Sequence, residues 1–178
     1  MHSTTIKINN ELALFNFAQR CVNLLNQLNL NQAYKISPFV IHLRGQLGAG
    51  KTTLVRAFLQ ALGYRGTVKS PTYGLVETYP DLPQSIIHLD LYRIEQISEL
   101  DHLGLRDYLS EESEKRQIWF IEWPKEHPDL PAVDLDIELK PLWDQGDDRN
   151  NRCTTKRMLH LTGISRQGAD FVRALKSE

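Results

Sequence analysis

The stretch Gly45-Gln46-Leu47-Gly48-Ala49-Gly50-Lys51-Thr52-Thr53 constrains this chain more than any other. It reads glycine, four residues, glycine-lysine-threonine without a gap or substitution, the pattern of a phosphate-binding loop. Gly45, Gly48 and Gly50 let the backbone curl so that successive N–H groups converge on phosphate oxygens. Lys51 supplies a compact positive charge for the outer phosphates, and the Thr52 hydroxyl is suited to hold a magnesium ion. The flanks agree with the loop. Phe39-Val40-Ile41-His42-Leu43 is a short, mostly apolar strand candidate, and Leu54, Val55, Phe58, Ala61 and Leu62 recur at helical spacing before a capping Gly63. Strand, glycine loop and helix in that order aim a helix N-terminus at a phosphate. A glycine loop joining strand to helix by chance is the plain alternative, and both flanks speak against it. The expected ligand is a nucleoside triphosphate.

A chain of 178 residues argues for one domain over 1–178, large enough for a three-layer core. The 21 basic and 22 acidic residues leave a formal net charge of −1, no field to hold a nucleic acid stably by itself. No apolar run approaches membrane-spanning length, and the N-terminus lacks a signal peptide's charged start and apolar block. Cys21 lies in a helical apolar pattern and Cys153 in a polar stretch, so neither a disulfide framework nor a metal site is indicated. A cytoplasmic location is the expectation.

The remaining pattern is that of an α/β protein, a three-layer nucleotide-binding fold with a mixed, mostly parallel sheet. Thr4–Ile8 alternates weakly as a first strand, and Asn9 or Asn10 is placed to cap an amphipathic helix carrying Leu14, Phe17, Ala18, Cys21, Leu25 and Leu28. Strands are expected at 74–79, 86–90, 118–122, 135–139 and 158–161, with a turn at 80–84, a short helix at 97–103 and a final helix at 168–175. Residues 107–109 are ambiguous, and the polar stretch 144–155 reads as a mobile loop. If the strand before the glycine loop runs upward, counting reversals brings Thr72, Asp90 and Glu122 to the same upper end. Ligands of open α/β sheets bind there.

A site that hydrolyses nucleotides needs a second acid near the metal and a group that orients water. Asp90 and Glu122 each close an apolar run and fit both needs. Asp90 also fits a turn cap, and Glu122 also fits a surface pair with Lys125. The segment Lys69-Ser70-Pro71-Thr72-Tyr73 stands where nucleotide switches keep a metal-sensing threonine, though taken alone an ordinary Ser-Pro turn explains it better. Arg93 can reach a phosphate or pair with Glu95. His42 and His88 alternate with apolar residues inside strands and read as packed, hydrogen-bonded histidines. Trp123 either seals the core or lies beside the nucleotide.

Five stretches together carry a resemblance: 45–53, Val68-Lys-Ser-Pro-Thr-Tyr73, His88-Leu-Asp-Leu-Tyr-Arg93, Gly104-Leu-Arg-Asp-Tyr108 and Ile121-Glu-Trp-Pro124. In order and spacing the chain resembles the TsaE (formerly YjeE) family, bacterial ATPases required for threonylcarbamoyladenosine on tRNA, from about Thr5 to Lys140. The resemblance implies ATP with magnesium at the loop 45–53, with Lys51, Thr52 and Glu122 as the key contacts and Thr52 and Glu122 holding the metal. It implies that Asp90 is needed for hydrolysis and that Thr72 and Trp123 lie close to the nucleotide. It also implies action with the carbamoyl-transferring TsaD and its partner TsaB, so that tRNA is served indirectly. The chain departs from the family in three places. Gln46 replaces the usual acid, Gly74 follows Ser-Pro-Thr-Tyr where threonine is common, and 144–155 is longer and more polar.

Other nucleotide-binding classes fit less well. A guanine-reading Asn-Lys-x-Asp motif and a transporter-type Ser-Gly-Gly-Gln signature are both absent from the sequence. A small-molecule or nucleotide kinase shares the loop and the size, but its arginine-rich lid would have to come from Arg149 and Arg152. A nucleotide-gated binding module with negligible turnover is the third class, and it overlaps the first.

Overall fold

The central strands are mostly apolar because both their faces are covered. Such strands need a helical layer on each side. The computed structural model describes residues 2–29, 37–79, 81–110, 116–143 and 155–177. Their strands are β1 (His2–Ile8), β2 (Phe39–Arg44), β3 (Val76–Thr78), β4 (Ser85–Asp90), β5 (Gln117–Glu122), β6 (Leu135–Pro141) and β7 (Arg157–Gly163). They form one sheet in the order β1-β7-β6-β2-β5-β4-β3. β2 runs parallel to β5 and β6, and β4 parallel to β5. β7 opposes both β6 and β1, and β3 opposes β4, so five of the seven described strands share a direction. The sheet is therefore mixed, with most of its described strands running in one direction.

The helices are α1 (Glu11–Asn29), α2 (Lys51–Ala61), α3 (Leu105–Ser110), α4 (Arg166–Ser177) and a 3-10 turn at Ile97–His102. Asn10 caps α1, its Oδ1 accepting the N–H of Ala13 at 2.8 Å. Helices α1, α2 and α4 share one core with Phe39, Ile41, Leu43, Ile118 and Phe120, whereas Val40, Trp119 and Ile121 face the 3-10 turn and α3. Phe58 of α2 meets the rings of Phe17 and Phe120 at 6.5 and 5.2 Å. Burying each such side chain stabilises the docking by about 1.5–3 kcal/mol. Helix α2 ends at Gly63, whose φ of 98° lets Tyr64 N–H return to the Leu59 carbonyl at 2.9 Å.

Several expected boundaries move for identifiable reasons. The strand expected at 74–79 is only Val76–Thr78, because Leu75 takes φ 62° and closes a turn onto the Pro71 carbonyl at 2.6 Å. The helix expected at 97–103 is a 3-10 turn, started by reciprocal bonds between Gln96 and Glu99. The ambiguous 107–109 belongs to α3. Ser165 extends the last helix forward by accepting the Gly168 N–H at 3.0 Å. Pro80 of the expected turn, 144–154 of the expected mobile loop and Cys153 lie outside the described residues. No helix among the described residues is long and apolar enough to cross a membrane.

His42 departs from its expected hydrogen-bonded role. It sits in β2 between Ile121 and Asp136, and neither ring nitrogen has a hydrogen-bond partner among the described residues. Burial pushes its pKa down from 6.5 to about 4, partly opposed by Asp136. A histidine depressed in this way stays uncharged in the fold while the unfolded chain takes up a proton. Its contribution is thus present above pH 6.5 and is lost as pH falls toward 4. Denaturant midpoints measured between pH 7 and 4.5 should fall more steeply for the wild type than for His42→Leu. Parallel curves would contradict this assignment.

Candidate active site

Strand alternation brings the two acids together. On β4, Ile86, His88 and Asp90 share a face, and on β5, Ile118, Phe120 and Glu122 do the same. Asp90 and Glu122 are register partners, and their face is the one that carries α2. The N-terminus of α2 therefore meets two carboxylates. Thr52 Oγ1 donates to Glu122 Oε1 at 2.8 Å, and His88 Nε2 lies 3.0 Å from the same oxygen. An ionised carboxylate only accepts, so Nε2 is the donor in that bond. The Tyr79 hydroxyl lies 3.4 Å from His88 Nδ1, and burial raises the Tyr79 pKa to about 12. Glu122 is 2% exposed and points inward, not outward to Lys125.

Asp90 caps the following turn and also lines the cleft. Its Oδ1 accepts the N–H of Tyr92 at 3.0 Å, a turn cap, while Oδ2 accepts from Thr72 at 3.0 Å and from Ser70. The Ser70 and Thr72 hydroxyl oxygens are themselves 2.6 Å apart. The 69–73 segment is thus tied to the acid at the cleft. Arg93 lies over the Tyr73 ring at 4.0 Å instead of pairing with Glu95.

The loop presents its cation inward. Lys51 Nζ donates to the carbonyls of Gly45 and Gln46 at 2.9 and 3.2 Å and stands 3.9 Å from the centre of the Trp123 ring. Burial lowers its pKa, and Glu122 and Asp90 oppose that shift. Trp123 holds φ 54°, a conformation uncommon for a bulky residue, and its ring lies 4.9 Å from that of Tyr92. A cleft of about 330 Å³ is lined by Leu47, Gly48, Gly50, Lys51, Thr52, Thr53, Ser70, Thr72, Asp90, Tyr92, Arg93, Glu122 and Trp123. Of the sequence candidates, Gly45, Gln46 and Ala49 shape the loop but do not line the cleft. Ser70, His88 and Tyr92 were not singled out as contacts by sequence reasoning. The signal for His88 was its position two residues before Asp90 on one strand face.

Hard oxygen donors and a lysine-bearing loop at a helix N-terminus fit a magnesium-bound polyphosphate. Thr52 and Glu122 would hold the ion, and the free N–H groups at the start of α2 would face the phosphates. The described residues also gather Asp101, His127 and Asp129, whose ligand atoms lie within 4.8 Å of one another. Arg106 already pairs with Asp129 there at 2.7 Å.

Gly50 is the tightest point of the loop. It holds φ 96°, and an added Cβ would lie 1.8 Å from Arg157 Nη1. Gly50→Ala combines left-handed strain with overpacking and should destabilise the chain by about 2–4 kcal/mol in chemical denaturation. A change below about 0.5 kcal/mol, the ordinary surface range, would contradict the packing described.

Comparison with known proteins gives the family. A family model described as threonylcarbamoyl adenosine biosynthesis protein TsaE matches residues 8–151. The tRNA threonylcarbamoyladenosine biosynthesis protein TsaE of Haemophilus influenzae is 38% identical over 152 residues, 85% of this chain and 88% of that protein. The protein of the same name from Rickettsia bellii is 32% identical over 147 residues, 81% of this chain and 90% of its own length. A crystal structure of YdiB from Bacillus subtilis superposes with a TM-score of 0.68, covering 99% of this chain and 95% of that one at 22% identity. That likeness supports the fold alone. The chain belongs to the TsaE family.

Proposed function

We propose that the chain is a single-domain, cytoplasmic, magnesium-dependent ATPase required for threonylcarbamoyladenosine on tRNA, acting together with TsaD and TsaB. The observation that carries this reading is the meeting of Lys51, Thr52, Thr72, Asp90 and Glu122 in one cleft beyond the carboxyl ends of β4 and β5. Family membership supports the tRNA pathway. A net charge of −1 is consistent with indirect action on tRNA through partners.

Each residue has a distinct task. The loop 45–53 cradles the phosphates with its backbone, and Lys51 offsets the charge of the outer ones. Magnesium, when bound at Thr52 and Glu122, neutralises charge between phosphates and carboxylates. His88 fixes the orientation of the Glu122 carboxylate from behind. Asp90 orients the attacking water once its Oδ2 is released by Ser70 and Thr72. Because both hydroxyls occupy that oxygen, the isolated protein should turn over slowly. The 69–73 segment is the natural reporter of nucleotide state to a partner.

The reading has a direct kinetic test. Lys51→Ala should abolish ATP binding in a titration, a loss of at least about 100-fold, since the charge-assisted contact disappears. Asp90→Asn should leave ATP affinity within about threefold while partner-stimulated hydrolysis falls at least about 100-fold, the signature of a group acting in the transition state. Glu122→Gln should weaken binding only when magnesium is present, and Thr72→Ala should blunt the response to TsaD and TsaB more than ATP affinity. Wild-type turnover in both acid variants would sink the assignment. Phosphate transfer to a small molecule in place of water would point to a kinase.

A further inference from the structure

The loop has a second cation that does not face the cleft. Arg157 opens β7 opposite Pro141 of β6 and Ile8 of β1, and it is only 6% exposed. Its guanidinium lies directly against Gly50, with Nη1 where a β-carbon would fall 1.8 Å away and Cζ 2.8 Å away. It is absent from the residues that line the cleft, although Gly50 is among them. Nε donates to the Thr155 carbonyl at 3.3 Å, but Nη1 finds no acceptor among the described residues. An incompletely paired guanidinium is a costly group to bury, and an apolar side chain would fill a strand end without that cost. The cost is borne at the one place where several phosphate charges are proposed to bind. Gly45 shows the same seating: a β-carbon there would lie 2.5 Å from the Leu139 carbonyl of β6.

We propose that Arg157 is a positioning residue for the nucleotide, a buried cation that braces the phosphate loop at Gly50 and adds its charge from behind. The inference rests on the reading that the cleft binds ATP. Its planar head fits the space left by the missing side chain of Gly50 and holds the loop's left-handed turn. Through a thin, poorly hydrated loop its charge is weakly screened. Lys51 serves the phosphates from the cleft and Arg157 from beneath. The contact also ties the loop to the β6–β7 pair.

Titrations of the full chain with ATP and with ADP, magnesium present, test this in the wild type, Arg157→Lys and Arg157→Met. The methionine variant should lose about tenfold in ATP affinity and less for ADP, whereas lysine, which keeps the charge, should stay within about threefold. A purely structural role would lower the thermal midpoint of Arg157→Met yet leave the ATP affinity and the ATP-to-ADP ratio of the folded protein unchanged. That result, or equal losses for lysine and methionine, would overturn the proposal. If the methionine variant does not fold, Arg157→Lys decides. Retained preference for ATP supports the proposal and its collapse refutes it. A wild-type chain that binds neither nucleotide would contradict the ATP reading itself, a different failure from wild-type binding that Arg157→Met leaves intact.

Discussion

A carboxylate with 2% of its surface exposed cannot stand at the end of an interior strand without donors, and Glu122 shapes most of what surrounds it. Moving an unpaired charge out of water costs several kcal/mol, on the order of what a whole domain has to spare. Thr52 and His88 meet the same Glu122 oxygen. Those partners come from two elements, α2 and β4, and the acid itself from a third, β5. The first turn of α2, the middle of β4 and the end of β5 must therefore be assembled before the acid is stable. The site and the centre of the fold are in this sense one object.

Asp90 is held quite differently. It is almost as buried as Glu122, but two of its donors belong to an irregular segment, 69–73, and not to a helix or strand. One acid is fixed by packed structure and the other by a loop that can rearrange. That division fits the two tasks proposed for the site, a fixed metal position and a water position completed on demand. Lys51 resting against Trp123 is part of the same arrangement, since a nucleotide's outer phosphates would compete with the ring for the ammonium.

Much of this was legible in the residues. The glycine loop announced strand, turn and α2, and the parity of strand directions placed Asp90, Glu122 and Thr72 at one end. His88 reads as a packed, hydrogen-bonded strand histidine and is one, but its partner Glu122 is not named by the sequence pattern. What stayed hidden depends on contacts distant in the chain. Leu75 shortens β3 through a turn that no propensity marks, because a leucine at positive φ is unusual. Arg157 follows the polar stretch that carries no motif, and only the packing of β7 under the loop shows that it touches Gly50. His42 reads as an ordinary strand histidine, yet its register beside Asp136 leaves both ring nitrogens without a partner among the described residues.

The central claim is that the carboxyl ends of β4 and β5, facing α2, form a metal–nucleotide site. The most direct measurement is a crystal structure with a non-hydrolysable ATP analogue and manganese, using the metal's anomalous signal to locate it. One strong peak is expected beside Thr52 and Glu122, with the triphosphate in the loop 45–53. A peak at Asp101, His127 and Asp129 with none beside Thr52, or a triphosphate bound outside the glycine loop, would contradict it.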